Sequence, residues 1–402
     1  MKKLMKSYLR QIPQPVWIQT IGHALTSFIS IILLPFLTLY MYDHFGENIM
    51  LTTLVIGVQP FTEIVFTFLF GGWIDRFGRR PVMLGSLSFQ FIALTGLVFA
   101  DHLWLFVFFI FLNGVGRFVY TPAARAQISD IVPEKNQAET FALLNTASSI
   151  GALGGPVTGA FLFQYDQKIL FLSMGLLVLV YFLIGLKYIP ETYKSIPASS
   201  TCYKLDWRDY KMIGWLVIGM LPLSFFHAQM ETNWPVFLKE NLVHYLFVFS
   251  LLETIGTVVF ILFEVVLVQR TRRFSQIRVI QAGYLLYGAA SLGFGFSDHL
   301  SGFIVSQLIF CMGAILTLNH MQTIISTLAP SAHKGRYFAL FGLHWDISRT
   351  GGPFLGSIVL SAFGGETLFF ITFALIISGG LMQKRLLKSL LQTESHLFKS
   401  VL

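Results

Sequence analysis

Seven ionisable side chains stand inside long apolar runs, where charge is costly: Glu63, Arg117, Glu231, Glu253, Glu264, Asp346 and Arg349. A charge at mid-depth in hydrocarbon costs roughly 2.5–3.5 kcal/mol on insertion scales, so each group needs a partner, water or a task. The chemistry open to them is proton carriage by a carboxyl group and the holding of a charged solute. Glu63 and Arg117 each lie about fourteen residues into their runs, which at ~1.5 Å per residue is roughly 21 Å down a helix. Opposite charges at one depth predict that the two face each other or share a wet cavity. Glu63 is then a proton carrier, with Arg117 favouring its ionised form until a conformational change separates them. A permanent neutralising pair is the other reading. Asp346 and Arg349, three apart on one helix face, can neutralise each other. Glu264, beside Arg270 and Arg272, reads as a structural ion pair, and Glu231 as a cavity acid. His227, His320 and His344 also fall in apolar runs, as proton-titrating groups or as hydrogen-bonded packing residues. Phe225, Phe226, Tyr120 and Trp345 are candidates for a cation-tolerant aromatic wall.

Two motifs add backbone chemistry. Gly71-Gly72-Trp73-Ile74-Asp75-Arg76-Phe77-Gly78-Arg79-Arg80 combines turn glycines with an acid set among arginines. Asp75 there can make charge-assisted bonds, and Arg125 and Asp130 belong with it as a latch. Gly151-x-x-Gly154-Gly155-Pro156-x-x-Gly159 sets small residues on one helix face, allowing close backbone approach, and the proline adds a kink. Gly351-Gly352-Pro353-x-x-Gly356 repeats the pattern.

The elements that must position these residues are membrane helices. The chain is 54% hydrophobic and 12% charged, with 41 phenylalanines, far from the roughly 25% charged of soluble proteins. Apolar runs of the roughly 20 residues a bilayer helix needs predict an all-α integral membrane fold of twelve spans. They lie at 16–42, 49–72, 82–100, 103–130, 138–163, 168–187, 211–238, 244–268, 278–297, 301–328, 335–361 and 365–386. The halves repeat at an offset of 197 residues: Pro156 aligns with Pro353, Pro133 with Pro330, Asp101-His102 with Asp298-His299 and Arg76-Phe77 with Arg273-Phe274. That predicts two pseudo-symmetric six-helix bundles, 1–189 and 211–402, joined by a polar linker at 190–210. Lys and Arg gather in one set of loops and at both ends, so the net charge of +8 is a topology signal and not a nucleic-acid surface. Both termini are expected to be cytoplasmic in a multi-pass cell-membrane protein. Residues 1–10 are basic, but the run behind them is of full membrane length, which reads as a retained span and not a cleaved signal. Cys202 and Cys311 give neither a disulfide framework nor a metal-ligand spacing.

The 71–80 loop closely resembles the signature loop of the major facilitator superfamily, and the helix-5 glycines resemble the motif of its drug:proton antiporters. The resemblance covers essentially the whole chain and is nearest to twelve-helix multidrug exporters. It implies that Asp75 latches the inward side closed, helped by Gly71, Arg76, Gly78, Arg79, Arg80 and Arg125. It also implies that Gly151, Gly155, Pro156, Gly159, Gly352, Pro353 and Gly356 form a packing motif. Two departures stand out. The second-half loop Arg272-Arg273-Phe274-Ser275 lacks the acid, and the helix-4 arginine expected near Ile110 appears a turn beyond Asn113-Gly114, at Arg117. The implied activity is export of hydrophobic, cationic small molecules in exchange for protons, through a site drawn from Glu63, Arg117, Glu231, Asp346, Arg349 and His227. A proton-coupled importer of a small solute, or a lipid exporter, are the alternatives on the same scaffold. No enzyme activity, cofactor or metal is expected, since no ligand cluster, phosphate loop or nucleophile–base pairing is visible. A monomer in lipid, handling a small-molecule substrate and protons, is expected. Asp75→Asn is predicted to abolish turnover in a transport assay while leaving substrate affinity within about threefold, since a latch stabilises one conformation and does not touch substrate. A large affinity loss at normal turnover would contradict the latch.

Overall fold

The structure, a computed structural model, describes residues 13–70, 77–192, 207–271, 273–328 and 334–393. Among the described residues every regular element is a helix. In chain order these are α1 Gln14–His44, α2 Ile49–Ile56, α3 Val58–Phe70, α4 Arg79–Leu97, α5 Leu103–Ile131, α6 Glu134–Tyr165 and α7 Gln167–Tyr188. The rest are α8 Trp207–Glu231, α9 Asn233–Asn241, α10 Tyr245–Thr271, α11 Gln276–Phe296, α12 Leu300–Leu328 and α13 Lys334–Thr393. Nine stretches among the described residues are long and apolar enough to cross a membrane.

Three elements depart from the expected spans, each for a local reason. The run at 49–72 is broken between α2 and α3, because Pro60 lacks an N–H and its ring crowds the carbonyl of Ile56 four residues back. Pro235 does the same to the carbonyl of Glu231. The chain leaves helical geometry at Thr232 (φ −129°, ψ −68°) before restarting as α9. The last two expected spans run on as α13, interrupted at Gly364. There φ is +82°, in the left-handed region where a residue without Cβ is unstrained. Side chains cap other helix starts: Asn48 Oδ1 accepts from Leu51 N at 3.0 Å, and Asp166 Oδ1 from Lys168 N at 2.7 Å.

The helices form two compact units. One holds residues up to Leu37 with Val58–Ser200, the other Thr38–Gly57 with Thr201–Leu402. In the first, α4 packs on α5 and α7, and α3 on α5. Lipid tails are as apolar as leucine, so burial gives helices little reason to associate, and close packing with polar ties does the holding. Accordingly the Ser86 hydroxyl donates to the carbonyl of Gly116, whose face lies flat against α4. In the second unit, α8 packs on α13, α11 on α12 and α13, and α10 on α12. Its centre is a cluster of aromatic rings: Phe226 lies 5.2 Å from Phe310 and 6.3 Å from Phe294 and from Phe369. The end of α1 and the whole of α2 join this unit. Thr53 Oγ1 donates to Ser357 Oγ at 2.9 Å, Lys239 pairs with Asp43, and the Tyr42 hydroxyl donates to Glu240.

Candidate functional site

In the first unit Glu63 and Arg117 meet. Arg117 Nε donates to Glu63 Oε1 at 3.2 Å, and its Nη1 donates to Ser30 Oγ at 2.9 Å. Two helices present matched i, i+4 pairs, which is why the contact forms. On α3, Gln59 Nε2 donates to the same Glu63 Oε1 at 3.0 Å. On α5, Asn113 Nδ2 donates to Gln59 Oε1 at 2.9 Å. Gly114 lets the helices close up: a Cβ there would stand 2.8 Å from the Gln59 carbonyl. Both donors to Glu63 use Oε1, which leaves Oε2 without a partner among the described residues, and the side chain is 22% exposed. A carboxylate held by one oxygen and open at the other can take a proton without dismantling its support. Gln59 and Ser30 were not singled out from sequence. The four-residue step from Gln59 to Glu63, beside that from Asn113 to Arg117, was the signal available.

In the second unit Arg349 turns across to α8 and forks onto Glu231. Its Nε lies 2.8 Å and its Nη2 2.5 Å from the two carboxylate oxygens. Spacing points to Asp346 as a neighbour, and the bidentate contact of Arg349 runs to another helix, in the geometry a planar guanidinium favours. Asp346 sits half-buried one turn away on α13, where its backbone carbonyl accepts from Thr350 Oγ1. Glu253 of α10 lies within electrostatic reach of Glu231. The histidines each hold a hydroxyl: His227 Nε2 is 2.8 Å from Tyr287 Oη, His344 Nδ1 2.5 Å from Ser224 Oγ, and His320 Nε2 2.9 Å from Thr271 Oγ1. Among the proposed wall residues, Phe226 belongs to the packed aromatic centre and Tyr120 is buried against Tyr181. Phe225 and Trp345 stay half-buried. Glu264 accepts from Asn319 Nδ2 at 2.9 Å, so its partner among the described residues is an amide and not Arg270.

Of the basic loop, Gly71, Asp75 and Arg76 lie outside the described residues, as do residues 193–206 of the linker. The start of α4, just beyond that loop, is tied down by Glu191, a residue that polarity alone had assigned to the linker. Its carboxylate accepts from Arg79 N and Arg80 N, each at 3.1 Å, and so caps the helix where its dipole favours an anion. Gly78 makes room for it, with φ +91° and a Cβ position 2.8 Å from Glu191 Oε2. Arg79 Nε stands 3.4 Å from Asp130 Oδ2, Thr192 Oγ1 donates to the same oxygen at 3.0 Å, and Arg80 bonds the Leu186 carbonyl. Arg125 is exposed on α5, the helix that carries Asp130. Glu191→Ala is expected to destabilise the protein by about 1 kcal/mol, the usual size of a lost cap. Glu191→Gln, which keeps one acceptor, should lose less. Thermal unfolding checks this, and equal stability of all three proteins would mean that the cap contributes nothing.

The two glycine motifs pack differently. In the first unit Gly151 lies against the Ala24 carbonyl, Gly155 against Ile31, and Gly159 against Phe36 and Ile32, with Pro156 buried between them. In the second unit the equivalent surface is polar. Gln229 Nε2 donates to the Gly352 carbonyl and Asn233 Nδ2 to the Pro353 carbonyl, both at 2.9 Å, and Gly356 lies on the Gln229 amide.

A family model described as Major Facilitator Superfamily matches residues 20–353. The chain is 35% identical over 367 residues to an uncharacterized MFS-type transporter, YhjO, of Bacillus subtilis (strain 168), covering 91% of this chain and 92% of that one. It is 27% identical over 375 residues to a Na(+), Li(+), K(+)/H(+) antiporter of Planococcus maritimus, covering 84% and 87%. Multidrug resistance protein MdtH of Salmonella choleraesuis (strain SC-B67) is 20% identical over 342 residues, covering 80% and 81%. A crystal structure of the peptide transporter POT in complex with sulfate superposes with a TM-score of 0.75 at 12% identity over 96% of each chain, a likeness of fold. With its helical membrane architecture and a family match over most of its length, the chain belongs to the major facilitator superfamily.

Proposed function

We propose that this protein is a secondary active transporter that exports hydrophobic, cationic small molecules in exchange for protons by alternating access. The observation that carries the proposal is Glu63, a carboxylate within a membrane helix, bound to Arg117 through one oxygen only and with 22% of its side chain exposed. Such a group can cycle between an ion pair and a protonated, unpaired state, which is what proton coupling requires. On this reading the chain crosses the cell membrane twelve times, counting α4, α6 and both arms of α13. It forms two six-helix bundles, 1–189 and 211–402, with the 190–210 linker and both termini in the cytoplasm, and acts as a monomer. Asp75 and its arginines latch the cytoplasmic side, and Glu231, Asp346, Arg349 and His227 line the solute's path. Similarity to a multidrug resistance protein supports the substrate class.

A second reading has one specific support. The Planococcus maritimus relative, more similar than the multidrug protein, is an antiporter of alkali cations and protons, so sodium, lithium or potassium would be the exchanged ion. One panel separates the two: proteoliposomes with and without an imposed pH gradient, tested with lipophilic cations, alkali cations and lipid analogues. Lipophilic cations are expected to accumulate toward the acidic side. Gradient-driven exchange of alkali cations alone would transfer the assignment to the second reading, and indifference of all solutes to the gradient would remove proton coupling.

A further inference from the structure

In the second unit a guanidinium already sits in a receptor of the right shape. Arg349 forks onto both oxygens of Glu231, and its guanidinium carbon lies 5.6 Å from the centroid of the Trp345 ring. The indole is held in place: His227 packs edge-on against it at 4.9 Å, and His227 is itself fixed by the Tyr287 hydroxyl. The Arg349 and Glu231 side chains remain 35% and 26% exposed, so a solute can reach both. Two further carboxyl groups belong to this unit: Asp346 lies one turn back from Arg349 on α13, and Glu253 of α10 lies within electrostatic reach of Glu231.

We infer that the Glu231 carboxylate and the Trp345 ring form a recognition site for planar, delocalised organic cations, with Arg349 as the resting occupant that such a solute displaces. The inference rests on the reading of this protein as an exporter of cations and names their shape. A carboxylate fork matches two parallel N–H donors on a flat cation, as in amidinium and guanidinium groups, and the same flat cation can lie along an aromatic face. A quaternary ammonium has the charge but no N–H to offer. Displacement leaves Arg349 beside Asp346, a carboxylate one turn back on its own helix. Because Arg349 is tethered, its effective concentration at Glu231 is high. A solute competes only by burying apolar surface as well, which fits hydrophobic cations.

A merely structural arginine would weaken the site when removed, whereas a resting occupant is a competitor, and its removal strengthens solute binding. The test is a binding titration of the purified full-length protein in lipid nanodiscs. The probes are three naphthyl compounds of matched size carrying an amidinium, a trimethylammonium or a neutral amide. The wild type is expected to prefer the amidinium over the trimethylammonium by about tenfold, the scale of one charge-assisted hydrogen-bonded fork that the quaternary ammonium cannot make. Arg349→Ala should bind the amidinium about tenfold more tightly than the wild type does, and Arg349→Gln should tighten it to a lesser degree. Trp345→Leu should weaken amidinium binding by about tenfold, the scale of one desolvated cation–π contact. Weaker amidinium binding in a monodisperse Arg349→Ala or Arg349→Gln protein would overturn the inference, and so would equal binding of all three probes by the wild type. If neither Arg349 variant folds, Trp345→Leu decides, and unchanged amidinium binding in that protein would overturn the inference. Transport distinguishes this inference from the reading beneath it. Amidinium binding as described without any proton-linked movement of organic cations would sink the export reading alone. Proton-linked export with no shape preference would sink this site alone.

Discussion

Glu63→Gln is expected to keep downhill substrate counterflow near the wild-type rate and to lose proton-driven accumulation almost completely. The substitution keeps the shape, and the glutamine oxygen can still accept from Arg117 and Gln59, which now bond Glu63 Oε1 at 3.2 and 3.0 Å. What it removes is the ability to gain and lose a proton. Arg117 is left without its counter-charge but keeps Ser30. The charge is lost but the hydrogen bonds stay, so a loss of stability of about 1 kcal/mol should accompany the functional loss. Counterflow separates the two effects, because a misfolded protein loses both activities. Accumulation that survives at the wild-type level would move the coupling acid elsewhere, first to Glu231 or Asp346.

The second large effect is expected from a single methyl group. A Cβ at Gly151 would fall within the Ala24 carbonyl, a backbone atom that cannot rotate away. Gly151→Ala should therefore force α1 and α6 apart. The overpacking cost is about 1–3 kcal/mol, with most folded protein and transport lost. Gly154, three residues on, is the control: a Cβ there meets only the Phe28 ring at 3.8 Å, an ordinary contact. Gly154→Ala should be neutral or slightly stabilising, since alanine is the better helix former. The second motif offers the same contrast. Gly356→Ala would strike the Gln229 amide, whereas Gly351→Ala meets nothing within 4 Å. Fluorescence-detected size exclusion after heating reads all four. Equal loss at Gly151 and Gly154 would mean that the motif acts through backbone flexibility and not through close approach.

These sites differ in how much of them could be read from the residues alone. The Glu63–Arg117 contact follows from counting down two helices, because depth is conserved along a regular rise and opposite charges at one depth seek each other. Arg349 shows the limit of that logic. Spacing offers Asp346 three residues away, while the forked partner Glu231 lies 118 residues distant on α8, which nothing local announces. The breaks before α3 and α9 were available in Pro60 and Pro235, each of which disrupts the carbonyl four residues back, but unbroken hydropathy masked them. Glu191 reads as linker by polarity and becomes a helix cap only because the fold brings it to the start of α4. The two glycine motifs share their letters, yet one packs on an apolar face and the other on Gln229 and Asn233, since the partner helix decides what a glycine admits.

The measurement that bears most directly on proton-coupled export is substrate-driven proton movement. Proteoliposomes carrying a pH-sensitive dye in the lumen are given a lipophilic cation gradient with no initial pH difference and with the membrane potential clamped. Wild-type protein is expected to move protons opposite to the cation, with a signal that a protonophore collapses and that Glu63→Gln abolishes while counterflow continues. Cation movement with no change in luminal pH, or a proton signal undiminished in Glu63→Gln, would contradict it.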